Sequence, residues 1–369
     1  MDFELNFEEL RSTITESGAA WEAGRTDFTA MSDEERQLHL GYTPGPDDPS
    51  LEESEQLARA NLEAFRAAAD ADEAFGYPAS YDLRNVGGAN YITSVKNQGN
   101  CGSCVSFGTV AAVEGRMRRQ RNSPNLAVDY SEAHLYYCHA RSEGRNCGNG
   151  WWPDRALNAV RDKGVVDDAC YPYTAGDQAC TGLCADNQSR LTKITGWHRV
   201  SDAAAMKEWI STQGPLVACY TVYQDFYAYR GGIYTYVSGN AVGGHCVCCV
   251  GYNDAERYWI CKNSWGTGFG ESGYFRIAYG QCGIDSFMDA ADGIAETGWE
   301  RDKRVTGLWT INEDRNAWVH VAGLGWRKVS AENDNIFVDM LAQLVAAKAG
   351  ARRVDLYQEN AMIKQTYVF

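Results

Sequence analysis

Three residues that lie far apart in the chain could together cleave an amide bond. Cys104 follows Cys101-Gly102-Ser103, His245 lies 141 positions later behind Gly243-Gly244, and Asn263 begins the run Asn263-Ser264-Trp265-Gly266. A thiolate is a nucleophile, an imidazole is a base, and a carboxamide can orient that imidazole through a hydrogen bond. These residue types predict nucleophilic attack by a cysteine, with the histidine carrying the proton.

Four separated motifs carry a resemblance to a known family. They are Asn97-Gln98-Gly99-x-Cys101-Gly102-Ser103-Cys104, Asn146-Cys147-Gly148-Asn149-Gly150, Gly244-His245 and Lys262-Asn263-Ser264-Trp265-Gly266-x-Gly268-x-Gly270-Glu271-x-Gly273-Tyr274. Across residues 78–290 the chain resembles the papain family of cysteine proteases. The resemblance implies a cysteine-type peptidase with an α+β, two-lobed fold, in which a helical lobe adjoins an antiparallel β-barrel-like lobe.

The resemblance assigns a role to each catalytic residue. Cys104 would attack the scissile carbonyl as a thiolate paired with the His245 imidazolium, favoured by its place at the start of a helix. Asn263 would fix the imidazole, and Trp265 would shield that bond. Gln98 would donate its side-chain amide to the oxyanion together with the Cys104 backbone N–H. The alternatives are a structural thiol, a core histidine, a turn asparagine and a surface glutamine, and the order of the motifs favours catalysis.

The implied substrate cleft is lined by residues from separate parts of the chain. They are Gly150, Trp151, Trp152, Cys219, Gly244, Trp265 and Phe287. Gly150 resembles the glycine whose backbone pairs with an extended peptide, whereas Trp151 and Trp152 either line the cleft or belong to the core. Cys219, Gly244 and Phe287 resemble the second specificity pocket. We therefore expect an apolar, uncharged pocket that prefers a hydrophobic side chain, not arginine, two residues before the cut bond.

All 13 cysteines lie between Cys101 and Cys282. The resemblance implies the disulfides Cys101–Cys147 and Cys138–Cys180, and spacing suggests Cys170–Cys184. We expect the cysteines of strand-like segments to be small buried hydrophobic residues rather than a metal site, namely Cys219, Cys246, Cys248, Cys249 and Cys261. No cofactor and no metal is expected. Paired cysteines favour an oxidising or extracellular compartment, although the acidic N-terminus shows no signal peptide.

Hydrophobic periodicity predicts the elements that position these residues. A helix from Ser103 to Arg119, with Ser103 as its N-cap, would place Cys104 on the first turn. Alternating and β-branched runs predict strands at 216–220, 246–250, 258–262 and 274–278. A helical half is therefore followed by a β half.

Residues 1–75 are interpreted as an acidic helical pro-segment. Residues 1–73 carry 19 acidic and 5 basic side chains, a balance of −14 within a total of −15. Helical spacing runs from Phe3 to Trp21 and resumes near Leu51, with a turn-rich break at 41–49. In the resembled family such a segment crosses the active site in the non-productive direction. We expect it to inhibit, to pair its carboxylates with basic side chains of the enzyme, and to loosen in acid; the alternative is a solvated acidic face.

Beyond a peptidase domain at 76–290, residues 297–369 are interpreted as a small α+β module of unknown role. Strands are predicted at 305–311, 317–321, 354–357 and 362–368. A helix is predicted at 332–347, and its apolar side would be formed by Ile336, Val338, Leu341, Leu344 and Val345. No flexible linker composition precedes the module, so we expect it to pack on the peptidase domain.

The expected function is a cysteine endopeptidase made as a zymogen. Its partners would be a protein or peptide substrate and its own pro-segment, within a monomer. No basic surface predicts nucleic-acid binding, and no long apolar run predicts a membrane span. Two alternatives are a non-proteolytic binding protein on a papain-like scaffold and a transpeptidase or ligase that uses the same dyad.

Overall fold

The computed structural model describes residues 6–70, 76–295, 298–310, 312, 315–322, 324–359 and 362–369. Its α-helices are α1 (Phe7–Glu16), α2 (Asp33–Gln37), α3 (Leu51–Asp70), α4 (Cys104–Gln120), α5 (Pro153–Asp162), α6 (Ala203–Thr212) and α7 (Asp334–Ala349). Its strands are β1 (Ala20–Ala23), β2 (Ser80–Asp82), β3 (Lys193–Ile194), β4 (Trp197–Val200), β5 (Leu216–Tyr223), β6 (Tyr229–Tyr234), β7 (Ala241–Asn253), β8 (Tyr258–Lys262), β9 (Tyr274–Ala278), β10 (Met288–Ala291), β11 (Ile294–Ala295), β12 (Gly298–Thr310), β13 (Ala317–Val321), β14 (Gly325–Val329), β15 (Arg353–Glu359) and β16 (Met362–Val368). Among the helices so described, none has the length and apolar character needed to cross a membrane.

The helical lobe is organised around α4, which begins at Cys104. Every residue from Cys104 to Gly115 is buried, because the helix lies between α5 and the long strand β7. Ser103 occupies the N-cap position, but its hydroxyl does not cap the helix. It shares a hydrogen bond of 2.8 Å with the Tyr173 hydroxyl instead. The helix start was therefore predicted correctly, whereas the capping bond was not.

Three disulfides fasten the loops of this lobe. A cross-link stabilises chiefly by restricting the unfolded chain, typically by about 2–4 kcal/mol. The pairs are those named from the sequence: Cys101–Cys147, Cys138–Cys180 and Cys170–Cys184. These cross-links therefore restrain the loops that flank Cys104.

The β lobe is a mainly antiparallel sheet with the order β1-β6-β9-β8-β7-β5-β10-β4, and β2 pairs with β7. The central strand β7 is hydrogen-bonded to β5 on one side and to β8 on the other. His245 lies on β7 opposite Tyr220, and Lys262 at the end of β8 lies opposite Cys248. Asn263 directly follows Lys262, so the register brings it close to His245. The predicted helical lobe followed by a β lobe is confirmed.

The first helix is shorter than predicted. The spacing from Phe3 to Trp21 suggested one helix, but α1 ends at Glu16, and Gly18 follows with a positive φ of 69°. Trp21 lies on β1, which pairs with β6 of the enzyme sheet opposite Gly232. There the indole packs edge-on against Tyr234 at 5.3 Å between ring centroids. Burial in the neighbouring sheet therefore overrides the helical pattern at Trp21, and Phe3 lies outside the described residues.

Two further helices place the N-terminal segment across the two lobes. The short α2, absent from the sequence prediction, begins with a capping box in which Ser32 and Glu35 exchange hydrogen bonds of 2.8 and 3.2 Å. The chain then runs through residues 39–43 towards the cleft. The helix predicted near Leu51 is α3, where Asn61 Nδ2 donates to the Asp285 carbonyl at 2.9 Å. The Asn61 contact fastens α3 to the chain just before β10.

The C-terminal residues form a closed barrel with the order β12-β13-β14-β16-β15, and α7 packs against it. Strands 317–321 and 362–368 were predicted with these limits, whereas β14 was missed. Gln120 exchanges two hydrogen bonds with the backbone of Ile294, at 2.8 and 3.1 Å, just before the barrel begins. Arg121 forms an ion pair of 2.8 Å with Glu300 on the first barrel strand. The barrel therefore contacts the end of α4.

The predicted apolar side of α7 is correct only in part. Leu344 is buried and Leu341 is partly buried as predicted, and the helix also buries Met340 and Ala347. Three of the side chains predicted to face the core are 46–60% exposed: Ile336, Val338 and Val345. The helix is apolar on several sides, so the spacing of its hydrophobic residues does not select one face. Contact with the barrel decides which face of α7 is buried.

Candidate active site

His245, predicted to be the catalytic base, is oriented by a hydrogen bond. His245 Nε2 lies 2.8 Å from Asn263 Oδ1. An amide oxygen only accepts, so the proton is on Nε2 and Nδ1 is left as the basic nitrogen. The buried Nδ1 has no hydrogen-bond partner among the described residues. The Trp265 ring lies 4.7 Å from the imidazole and shields this pair from water.

Cys104 is fully buried at the first turn of α4. The backbone N–H groups of Cys246, Gly41 and Val105 all interact with its thiol and favour the thiolate. Cys246 directly follows His245, so the thiol and the imidazole belong to one site. The helix start adds a further favourable field for a negative sulfur.

Burial under the N-terminal segment favours the neutral forms of both Cys104 and His245. Burial raises the pKa of the Cys104 thiol well above its ordinary value, and the Cys246 thiol adds to this. Burial also lowers the pKa of His245 to about 3. The expected thiolate–imidazolium pair is therefore not the state of the covered site, since neither charge is solvated there.

Gln98 points its amide nitrogen at the N-terminal segment. Its Nε2 donates to the carbonyls of Cys101 at 2.8 Å and His39 at 3.2 Å, and the side chain is fully buried. The Ser264 hydroxyl donates to Gln98 Oε1 at 2.6 Å, which fixes the amide orientation. Sequence reasoning missed Ser264, although it stands within the Asn263 motif. The His39 carbonyl of the segment thus occupies one donor position of the Gln98 amide.

Residues 41–43 pair with both walls of the cleft. Trp151 N donates to the Gly41 carbonyl at 2.8 Å, and Thr43 N donates to the Trp151 carbonyl at 3.0 Å. On the other wall, Tyr42 N donates to the Gly244 carbonyl at 3.1 Å. A Cβ atom at Gly150, whose φ is +62°, would collide with the Gly41 backbone. Glycine at this position therefore permits the close approach that an extended peptide needs.

The predicted substrate residues separate into two groups. The Trp151 indole is fully buried and donates to Glu143 at 3.1 Å, so it belongs to the core while its backbone lines the cleft. The remaining residues line the space that the N-terminal segment fills, and Trp152 lies against Gly45 of that segment. Tyr42 is 4% exposed and packs beside Cys219 and Gly244. Its ring thus occupies the predicted specificity pocket.

The expectation of an uncharged pocket is wrong at the Phe287 end. The Arg199 guanidinium lies 3.7 Å above the centre of the Phe287 ring. It is paired with Asp289 at 3.0 Å and with Asp48 of the N-terminal segment at 2.6 Å. Nothing in the spacing of the motifs points to Arg199, because it comes from β4, far from them in sequence.

Comparison with known proteins gives a consistent result. The model of the papain family of cysteine proteases matches residues 77–291, which is more than half of the chain. The protein named Cathepsin B-like CP3 from Giardia intestinalis is 35% identical over 220 residues, covering 56% of this chain and 72% of that protein.

Two solved pro-forms have similar structures. The procathepsin L2 proteinase of the Tenebrio molitor larval midgut has a TM-score of 0.60 at 28% identity, over 77% of this chain and 88% of that one. The procathepsin B S9 of Trypanosoma congolense has a TM-score of 0.61 at 22% identity, over 78% of this chain and 97% of that one. The second likeness shows the shared fold alone.

Proposed function

Since the chain belongs to the papain family of cysteine proteases, we propose that this cysteine peptidase is an endopeptidase made as a zymogen. Cys104, His245 and Asn263 would form its catalytic site. The observation that carries the proposal is the 2.8 Å bond from His245 Nε2 to Asn263 Oδ1, which leaves Nδ1 as the base. Cys104 lies at the start of α4, and its thiol interacts with the backbone of Cys246, the residue after His245.

The chemistry follows from these positions. His245 Nδ1 takes the proton of the Cys104 thiol, and Cys104 Sγ attacks the scissile carbonyl. The C–N bond then breaks as His245 gives this proton to the leaving amine. A water molecule, deprotonated by His245, then releases the acyl group and regenerates the thiol. Gln98 Nε2 and the Cys104 backbone N–H stabilise the oxyanion in both steps.

The path of residues 39–48 supports cleavage within a chain. This stretch passes through the cleft, with His39 at Gln98 on one side of Cys104 and Asp48 at Arg199 on the other. A polypeptide can therefore continue in both directions from the reacting thiol. An endopeptidase requires such a cleft, and an exopeptidase normally closes one end.

The domain division follows from the same contacts. Residues 1–75 would be the inhibitory pro-segment, residues 76–290 the peptidase domain, and residues 297–369 a module whose role stays unassigned. Support for inhibition comes from the His39 carbonyl at Gln98 and from Tyr42 in the pocket. Substrate cannot enter while both are in place.

Labelling with a peptidyl epoxide tests the proposal on acid-treated full-length protein. Labelling at Cys104 together with net peptide hydrolysis supports it. A non-proteolytic scaffold would take no label, and a ligase would take label but join peptides with little hydrolysis. Either of these results would contradict the proposal.

Replacing Gln98 with alanine should lower kcat by about 10²–10³-fold, as expected for loss of one oxyanion donor. The KM should change little, because the donor acts on charge that develops in the transition state. The control is Gln188→Ala, on an exposed loop of the same lobe. A Gln98→Ala enzyme with unchanged kcat would show that the amide only supports the local fold.

A further inference from the structure

A carboxylate of the N-terminal segment binds an arginine in the cleft. Asp48 Oδ1 lies 2.6 Å from Arg199 Nη1. The Gly45 N–H donates to the other oxygen, Asp48 Oδ2, at 2.9 Å and so aims the side chain. Asp48 is only 6% exposed. The contact is therefore a directed, largely buried charge-assisted hydrogen bond rather than a loose surface pair.

Arg199 is held in position by the peptidase domain itself. Arg199 and Asp289 are direct partners on β4 and β10. Arg199 Nε donates to Asp289 Oδ1 at 3.0 Å, and Asp289 is 1% exposed. The guanidinium plane is also supported by the Phe287 ring, 3.7 Å away. The Nε side of the guanidinium therefore binds Asp289 of the peptidase domain, whereas Nη1 binds Asp48 of the pro-segment.

This arginine lies at the pocket that Tyr42 fills. The Tyr42 hydroxyl is buried beside Cys219, and both Asp48 and Arg199 act on it electrostatically. The hydroxyl has no hydrogen-bond partner within the described part of the chain. The pocket therefore combines apolar walls along the ring with a guanidinium near the ring's far end.

We propose that Arg199 is a specificity-determining residue of the mature peptidase and binds the carboxylate of a glutamate two residues before the scissile bond. The inference rests on the proposed function, because it concerns the same cleft after the pro-segment has left. The substrate carboxylate takes the place of Asp48 at Nη1. Leucine still fits against the apolar walls.

The other charges at this site do not prevent acidic binding. Besides Arg199, the charged groups of this cluster within the described residues include Asp289 and the half-buried Asp154, with Arg155 next to Asp154. Both carboxylates are present when the pro-segment is docked, and Asp48 still binds at 2.6 Å. The cluster therefore already accommodates a carboxylate that comes from outside the peptidase domain.

The test uses acid-processed enzyme and three peptides that differ only in the second residue before the cut: glutamate, glutamine and leucine. We expect the wild-type enzyme to cleave the glutamate peptide within about tenfold of the leucine peptide. Arg199→Gln should lower kcat/KM for the glutamate peptide by about 10- to 100-fold, the value of a hydrogen bond to a charged group. Its kcat/KM for the leucine peptide should fall by less than about threefold, and the glutamine peptide should respond only weakly.

Control variants separate specificity from folding. Arg199→Lys should recover part of the glutamate cleavage, and Arg161→Gln, on the exposed side of α5, should change none of the three rates. If Arg199→Gln does not fold, Arg199→Gln with Asp289→Asn removes both buried charges and serves in its place. The proposal is overturned if the wild type does not cleave the glutamate peptide, or if the variant loses all three activities equally. Absence of both leucine-peptide cleavage and epoxide labelling in the wild type would instead overturn the proposed function.

Discussion

Replacing Cys104 with alanine should reduce peptide hydrolysis by more than about a thousandfold while leaving the fold intact. The expected loss is large because no other group can take the covalent role of the thiolate. The neighbouring thiol of Cys246 cannot substitute, since it is on β7 rather than at the start of α4. The loss should appear in kcat for every peptide, and the epoxide should no longer label the protein.

A matched control is Cys261→Ala. Cys261 is also a free, fully buried thiol, but it lies within β8, away from the reacting atoms. Circular dichroism and thermal unfolding should show that Cys104→Ala folds like the wild type, whereas Cys261→Ala should keep hydrolysis. Retention of more than about a thousandth of the wild-type rate in Cys104→Ala would contradict a cysteine nucleophile.

The main features of the site could be predicted because each depends on a short stretch of the sequence. Cys104 begins a helix, His245 lies on a strand, and Asn263 directly follows the next strand, so the short motifs and the β7–β8 register bring them together. A local motif specifies both the residue and the turn that holds it. That is why the positions could be read without knowledge of the rest of the fold.

Arg199, His39 and the buried face of α7 could not be predicted, because each depends on a distant surface. Arg199 matters only since Phe287 and Asp48 meet it from elsewhere in the chain. Trp21 has helical spacing from Phe7, yet it belongs to a strand that completes another domain's sheet. Burial against a partner surface decides such cases, and a one-dimensional pattern does not contain that surface.

The predicted pairing of pro-segment carboxylates with basic groups of the enzyme is found at Asp48, which pairs with Arg199 at 2.6 Å. The lowered pKa values of Glu35 and Glu53 have a different cause, since they come from the capping serines Ser32 and Ser50 of the same segment. Above their ordinary pKa of about 4.5 these carboxylates support their helix ends, and that support is lost as the pH falls further. The protonation of Glu35 and Glu53 therefore weakens the segment only at pH values below about 4.5.

His39 provides a response nearer to neutral pH. It is 3% exposed and packs edge-on against Phe28 at 4.7 Å, close to Trp265. Burial lowers the pKa of His39 below its ordinary value of 6.5, and Asn100 and Glu35 oppose this only in part. The nearby His245 is neutral as well. The docked segment thus prefers a neutral His39, whereas the released segment takes up a proton below about pH 6.5.

Docking should therefore be strongest above about pH 6.5 and weaken by up to tenfold per pH unit below it, the limit for one coupled proton. Full-length protein at pH 7 should show less than about a hundredth of the activity of the processed enzyme, and at pH 4–5 it should shorten itself by about 70 residues. The Cys104→Ala protein should not shorten itself.

The variant His39→Phe keeps the aromatic packing but cannot bind a proton, so its processing rate should stay constant between pH 6.5 and 5. The control His320→Gln, in the barrel, should behave like the wild type. If the His39→Phe variant shows the same rise in processing rate between pH 6.5 and 5 as the wild type, the response belongs to other groups. Equal activity of full-length and processed protein at pH 7 would show that the segment does not inhibit.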